Sequence, residues 1–117
     1  MLTMILTDEV KFKEIEDNLD VFYDIIGCDT IDIVTRTING AGYEIICDDE
    51  GLLKAGPVVT AVSRDGRPQL VGGLIVAKYG GNGELAGLAP EDVLRLSNAI
   101  QYTIQKNKLQ PVIILEQ

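Results

Sequence analysis

Two dipeptides constrain this chain's fold more than any other feature: Asn39-Gly40 and Asp65-Gly66, each set between short runs of β-branched and apolar residues. Asn-Gly and Asp-Gly favour the positive-φ backbone of tight hairpin turns, so each pair predicts two neighbouring antiparallel strands. The first hairpin leads from Ile31–Thr37 into Tyr43–Cys47, and the second from Val58–Val62 into Leu70–Ala77. Met1–Thr7 and Pro111–Leu115 read as further strands near the two ends.

Helical periodicity is found in two places. Phe12, Ile15, Leu19, Phe22 and Ile26 recur at spacings that put them on one helix face, and Gly27 suits the left-handed residue after a last turn. Pro90 fits a first helical position, Glu91 and Asp92 favour the positive end of the helix dipole, and Val93, Leu96, Ile100 and Ile104 form a stripe running out at Lys106 and Lys108. The predicted order is β-α-β-β-β-β-α-β, an α+β fold with two helices on one face of a mostly antiparallel sheet. With 117 residues, one domain spanning 1–117 is expected.

Charge narrows the function classes. The formal net charge is −8, and residues 1–53 hold 13 acids and 3 bases while residues 54–117 hold 5 acids and 7 bases. Such acidity argues against sequence-independent binding of nucleic acid or an anionic membrane, which needs Lys and Arg against phosphates. The chain has no His, which removes the commonest general base, the Ser-His and Cys-His pairs and His-ligated zinc. No enzyme activity and no cofactor are expected. Cys28 and Cys47 have no CxxC spacing, and Met1–Thr7 lacks a basic start and is too short for a signal peptide, so a cytoplasmic protein with reduced thiols is expected.

Several local features can carry chemistry. Gly80–Gly87 lies between a strand and a helix, as phosphate loops do, but matches neither glycine-loop spacing and is crowded by Glu84, Glu91 and Asp92. It reads as a flexible connection, able to close over a ligand as a mobile rim through Asn82 and Gly83. Asp48-Asp49-Glu50-Gly51 offers oxygen ligands without the EF-hand spacing and reads as a solvated turn with Gly51 at positive φ. Arg36 either pairs with Glu44 across the first hairpin or reads a ligand anion by its bidentate fork. Arg64, Arg67 and Lys78 flank the second hairpin and can add anion contacts, while Tyr43, Tyr79 and Tyr102 can stack on a base or line a partner surface. Tyr23 reads as core, as does Cys47, and Cys28 beside Asp29 is a poor nucleophile.

The stretch from Tyr23 to Leu96 resembles a family of small uncharacterised proteins, known only as a domain of unknown function, encoded mainly by phages and mobile elements of Gram-positive bacteria. The resemblance is carried by Ile26-Gly27, Ile31–Val34, Asp48–Leu53, Leu70–Val76, Gly83-Glu84, Leu88 and Glu91-Asp92 in that order. The chain departs from the family pattern at Ala55–Ala61, where an Asn followed by a small residue is expected and only Ala61 fits. The resemblance implies a phage setting. From that setting follows the expectation of an anti-defence protein that sequesters a nucleotide-derived signal, a cyclic nucleotide or cyclic ADP-ribose type, as a homo-oligomer. The alternative is an acidic inhibitor that masks a host nucleic-acid-binding or defence protein.

Overall fold

The computed structural model describes residues 1–116 and contains ten strands, two α-helices and one 3-10 turn. In chain order these are β1 (Leu2–Leu6), β2 (Val10–Glu14), α1 (Leu19–Ile26), β3 (Ile31–Ile38), β4 (Ala41–Asp48), the 3-10 turn Gly51–Leu53, β5 (Val59–Ser63) and β6 (Pro68–Val71). They continue with β7 (Leu74–Gly81), β8 (Glu84–Ala86), α2 (Pro90–Ser97), β9 (Ile100–Gln105) and β10 (Lys108–Leu115). The fold is α+β and mostly antiparallel, as expected, but it has two sheets rather than one. The larger runs β2-β1-β7-β4-β3 with β8 added to β7, and the smaller runs β6-β5-β10-β9. Among the described strands, only β5 and β10 pair in parallel.

Period-2 alternation sorts the strands' side chains into two cores. Met4, Leu6, Tyr43, Ile45, Leu74 and Val76 of the larger sheet pack against Ala61, Ile113 and Leu115 of the smaller one, and Leu96 of α2 joins them. The alternate residues Ile5, Ile46 and Ile75 face away and pack on Phe22, Ile25 and Ile26 of α1. The helices therefore cover opposite faces of the larger sheet, a correction to the single covered face expected from the sequence. Burying Phe22 alone contributes about 2–3 kcal/mol. Among the described residues, α1 packs on the larger sheet and α2 reaches the core between the sheets, so neither helix is placed over the outer face of the smaller sheet.

Four expected elements come out differently. Val10–Glu14 is a strand paired with β1, and α1 begins only at Leu19, where the Asn18 carboxamide oxygen accepts from the Asp20 and Val21 N–H groups. α2 stops at Ser97, and Ile100 and Ile104 lie on β9. The Asp65-Gly66 turn joins β5 to the short β6, and β7 belongs to the other sheet. Gly80–Gly87 is not a loop: β7 and β8 form a hairpin across Asn82-Gly83, both at positive φ. The Asn39-Gly40 hairpin is as expected, with φ of 46° and 82° at its turn.

Pro111 leaves a gap in the parallel ladder that another side chain closes. Extending the Ile113↔Ala61 register by two residues sets Pro111, which has no N–H, beside Val59. The Gln105 carboxamide reaches across, accepting from Val59 N at 2.9 Å and donating to Val59 O at 2.8 Å.

Candidate functional site

The residues singled out from the sequence do not converge. Tyr43 is buried, and its hydroxyl donates to Asp92 Oδ1 at 2.7 Å. Arg95 Nη1 lies 3.1 Å from both that hydroxyl and Asp92 Oδ1, Lys78 Nζ lies 3.3 Å from Asp92 Oδ2, and the Ala89 N–H donates to Oδ2 at 2.8 Å. Burial works against the charge on Asp92, but the Ala89 N–H, the Tyr43 hydroxyl and the Lys78 ammonium outweigh it and hold the carboxyl below its ordinary value. Tyr43 and Lys78 thus anchor α2 to the inner face of the larger sheet.

Arg36 does not pair with Glu44. Its register partner is Tyr43, so it shares the inner face, whereas Glu44 opposes Thr35 on the outer face and accepts from its hydroxyl at 3.0 Å. Adjacent positions on a strand point to opposite faces, so this ion pair cannot form. Arg36 instead lines a groove of about 380 Å³ between β3 and β6, together with Asp32, Asp48, Asp49 and Glu50. That company is hostile to an anionic ligand. Arg67 pairs with Asp65 at 3.0 Å, and the Tyr79 hydroxyl accepts from the Gly83 N–H at 3.2 Å, bracing the Asn82-Gly83 turn.

The acidic turn is largely satisfied within itself. Asp48 pairs with Lys54 at 2.6 Å and accepts from the Glu50 N–H at 2.9 Å, and although its burial resists charge these contacts lower its carboxyl. Gly51 does not sit at positive φ; a Cβ there would stand 2.9 Å from Val71 Cγ2, so a larger residue needs the Val71 side chain to shift. A second cleft of about 450 Å³ adjoins this turn and adds Asp24 and Asp29 to the acidic surface. Burial pushes the Cys47 thiol up to about 11, aided by Asp32, and also raises Cys28, where Asp48 adds to the effect. Both thiols are free and buried.

Of the expected anion readers, only Arg64 stands in a groove not dominated by acids. This groove, of about 520 Å³, lies over the uncovered outer face of the smaller sheet. Val62, Val112 and Ile114 make an apolar floor, and Asn39, Ser63, Asn98, Gln101 and Thr103 supply neutral hydrogen-bonding groups around it. Arg64 Nη2 meets Glu116 Oε1 at 3.0 Å at one end. Its side chain is 71% exposed, so that pair holds it weakly and the guanidinium can turn toward a ligand at little cost. Asn39 is better fixed: its side-chain N–H donates to Arg95 O at 2.9 Å in the last turn of α2.

Apart from Arg64, these groove residues escaped the sequence reading. Asn39 is legible only as a turn residue, and the helical stripe of Val93, Leu96, Ile100 and Ile104 takes in Gln101 and Thr103. Their signal was the alternation of Ile100, Tyr102 and Ile104 with Gln101 and Thr103, a period of two that fits a half-exposed strand. Among the described residues no three acids or cysteines gather in a metal-binding group. No described helix is long and apolar enough to cross a membrane.

No curated protein and no solved structure matches this chain. A family match covers residues 2–101, which takes in both helices and every strand through β8 but stops within β9. On that match the chain belongs to DUF3846, a domain of unknown function.

Proposed function

We propose that this chain is a non-catalytic binding protein that holds a small anionic ligand of the nucleotide class in the groove beside Arg64. The observation that supports it is the pairing there of one loosely held guanidinium with neutral amide and hydroxyl groups over an apolar floor. A phosphate would take the guanidinium by its fork, while Asn98, Gln101 and Thr103 offer donors and acceptors for ribose hydroxyls and base edges. In the phage or mobile-element setting implied by the family resemblance, such a protein works in the cytoplasm of a Gram-positive host. It removes a cyclic nucleotide or cyclic ADP-ribose type immune signal by sequestration, as a homo-oligomer. Titration calorimetry against cyclic dinucleotides and cyclic ADP-ribose isomers tests this, with Arg64→Ala expected to weaken binding at least tenfold. Uniform absence of heat across these ligands refutes it.

A second reading rests on a different surface. Leu52 and Leu53 are exposed on the 3-10 turn, and the two clefts that adjoin it carry Asp24, Asp29, Asp32, Asp48, Asp49 and Glu50. An apolar knob ringed by carboxylates suits docking on a basic host protein, with the charge steering encounter. Salt-sensitive capture of a basic nuclease by the wild type, lost in Leu52→Asp, supports masking; capture that Leu52→Asp leaves intact counts against it.

A further inference from the structure

Apart from the three-residue β8, which pairs only with β7 and carries Glu84, four strands lie at the ends of the two sheets: β2, β3, β6 and β9. Three carry the features that keep an exposed edge from pairing with another chain. β2 has Lys11, Lys13 and Glu14, β3 has Asp32 and Arg36, and β6 is short and opens with Pro68. β9, Ile100-Gln101-Tyr102-Thr103-Ile104-Gln105, has no charge and no proline.

The turn into β10 determines which β9 groups are free. Lys106 and Asn107 both have positive φ, 54° and 64°, and Gln105 pairs with Lys108, a two-residue turn of the I′ type. In such a hairpin the residues flanking the turn exchange both backbone hydrogen bonds, and alternate pairs do so thereafter. Gln105, Thr103 and Gln101 therefore bond inward to β10, a pattern continued where the Ile114 N–H donates to Ala99 O at 2.9 Å. Ile100, Tyr102 and Ile104 turn their N–H and C=O outward, where no strand is paired among the described residues. Tyr102 and Ile104 are also 62% and 75% exposed, and Leu109, the register partner of Ile104, extends the same apolar strip.

We propose that a second copy of this chain docks on β9, edge to edge and antiparallel, joining the two smaller sheets into one of eight strands about a two-fold axis at Tyr102. An isologous contact needs a self-complementary strand, and an antiparallel pair centred on Tyr102 sets Ile100 opposite Ile104 of the second copy with every outward N–H facing a carbonyl. Charge selects this edge over the others. The protein nets −8, so two copies repel, yet Asn98–Leu115 contains no acid and only the two cations Lys106 and Lys108. This pairing stands on the edge alone, whatever the groove binds, and it brings Gln101 and Thr103 of both copies together on one face.

Analytical ultracentrifugation of the full chain is expected to give a concentration-dependent species of twice the 12.7 kDa monomer mass. Tyr102→Pro removes an outward N–H without touching the β10 ladder, and Ile104→Lys charges the edge; each should leave a monomer with unchanged circular dichroism. Lys13→Ala on the β2 edge should leave the dimer intact. Residue-resolved hydrogen exchange is expected to protect the Tyr102 and Ile104 amides in the dimer. A wild-type chain that stays monomeric at high micromolar loading, a dimer that survives both β9 variants, or unprotected Tyr102 and Ile104 amides in the dimer would each overturn the proposal.

Discussion

Tyr43 on β4 and Asp92 on α2 meet through a 2.7 Å hydrogen bond in a site where Asp92 is 1% exposed. This contact ties a strand to a helix 49 residues further along the chain, and Lys78 and Arg95 compensate the carboxylate from the rim. Asp92→Asn leaves two cations facing a neutral amide and is expected to cost about 3 kcal/mol. Tyr43→Phe, which deletes one donor to a charged acceptor, is expected to cost about 2 kcal/mol. Urea unfolding of the two variants and their double mutant checks both values and gives a positive coupling between them.

Asp92 also sets a pH dependence. Its folded carboxyl titrates below the ordinary 3.8 that applies when the chain unfolds, so unfolding takes up a proton in the acid range. The stabilisation is complete above pH 3.8 and is lost as pH falls through the lower folded value. Asp48, likewise lowered, acts in the same direction. Wild type is therefore expected to lose stability steeply on acidification below about pH 4, and Asp92→Asn less steeply, in urea melts repeated at each pH.

Gly87 is required by a close approach of backbone. A Cβ there would stand 2.9 Å from Leu2 N, next to the hydrogen bond from Leu88 N to Leu2 O. Gly87→Ala is expected to destabilise by roughly 1–3 kcal/mol, since backbone cannot give way as a flexible side chain does. Gly27, whose added Cβ would meet nothing within 4 Å but whose φ is 76°, provides a comparison in which the cost is conformational only.

The cysteines report opening of the core. Cys47, buried and raised to about 11, donates weakly to Asp32 O across the β3–β4 hairpin and has almost no thiolate at neutral pH. Alkylation of Cys47 by iodoacetamide at pH 8 is expected to be slow in the native protein and to accelerate with urea in parallel with unfolding. Fast labelling in the native state would show that the β3–β4 hairpin opens locally.

The parts of this fold legible in the sequence are those whose signal is local. Asn39-Gly40 announces its hairpin because both residues take positive φ, and Gly27 ends α1 for the same reason. β9 was hidden because Ile100 and Ile104, four apart, satisfy a helix stripe and a strand face at once, and its turn, Lys106-Asn107, takes positive φ without a glycine. β2 was hidden similarly: Phe12 and Ile15 extend the stripe of α1, while the strand alternation of Val10 and Phe12 with Lys11 and Lys13 is only five residues long. The groove at Arg64 unites residues from the β3–β4 turn, the β5–β6 turn, the end of α2 and β9, and no local pattern states that these meet.

The central claim, that the groove over Val62, Val112 and Ile114 takes a nucleotide-type anion, is tested most directly by amide chemical shifts recorded while a cyclic dinucleotide or a cyclic ADP-ribose isomer is added. The account predicts saturable shifts at Ser63, Arg64, Asn98, Gln101 and Thr103, abolished in Arg64→Ala. Shifts confined to the acidic surface around Asp48–Lys54, or none with any of these ligands, would contradict it.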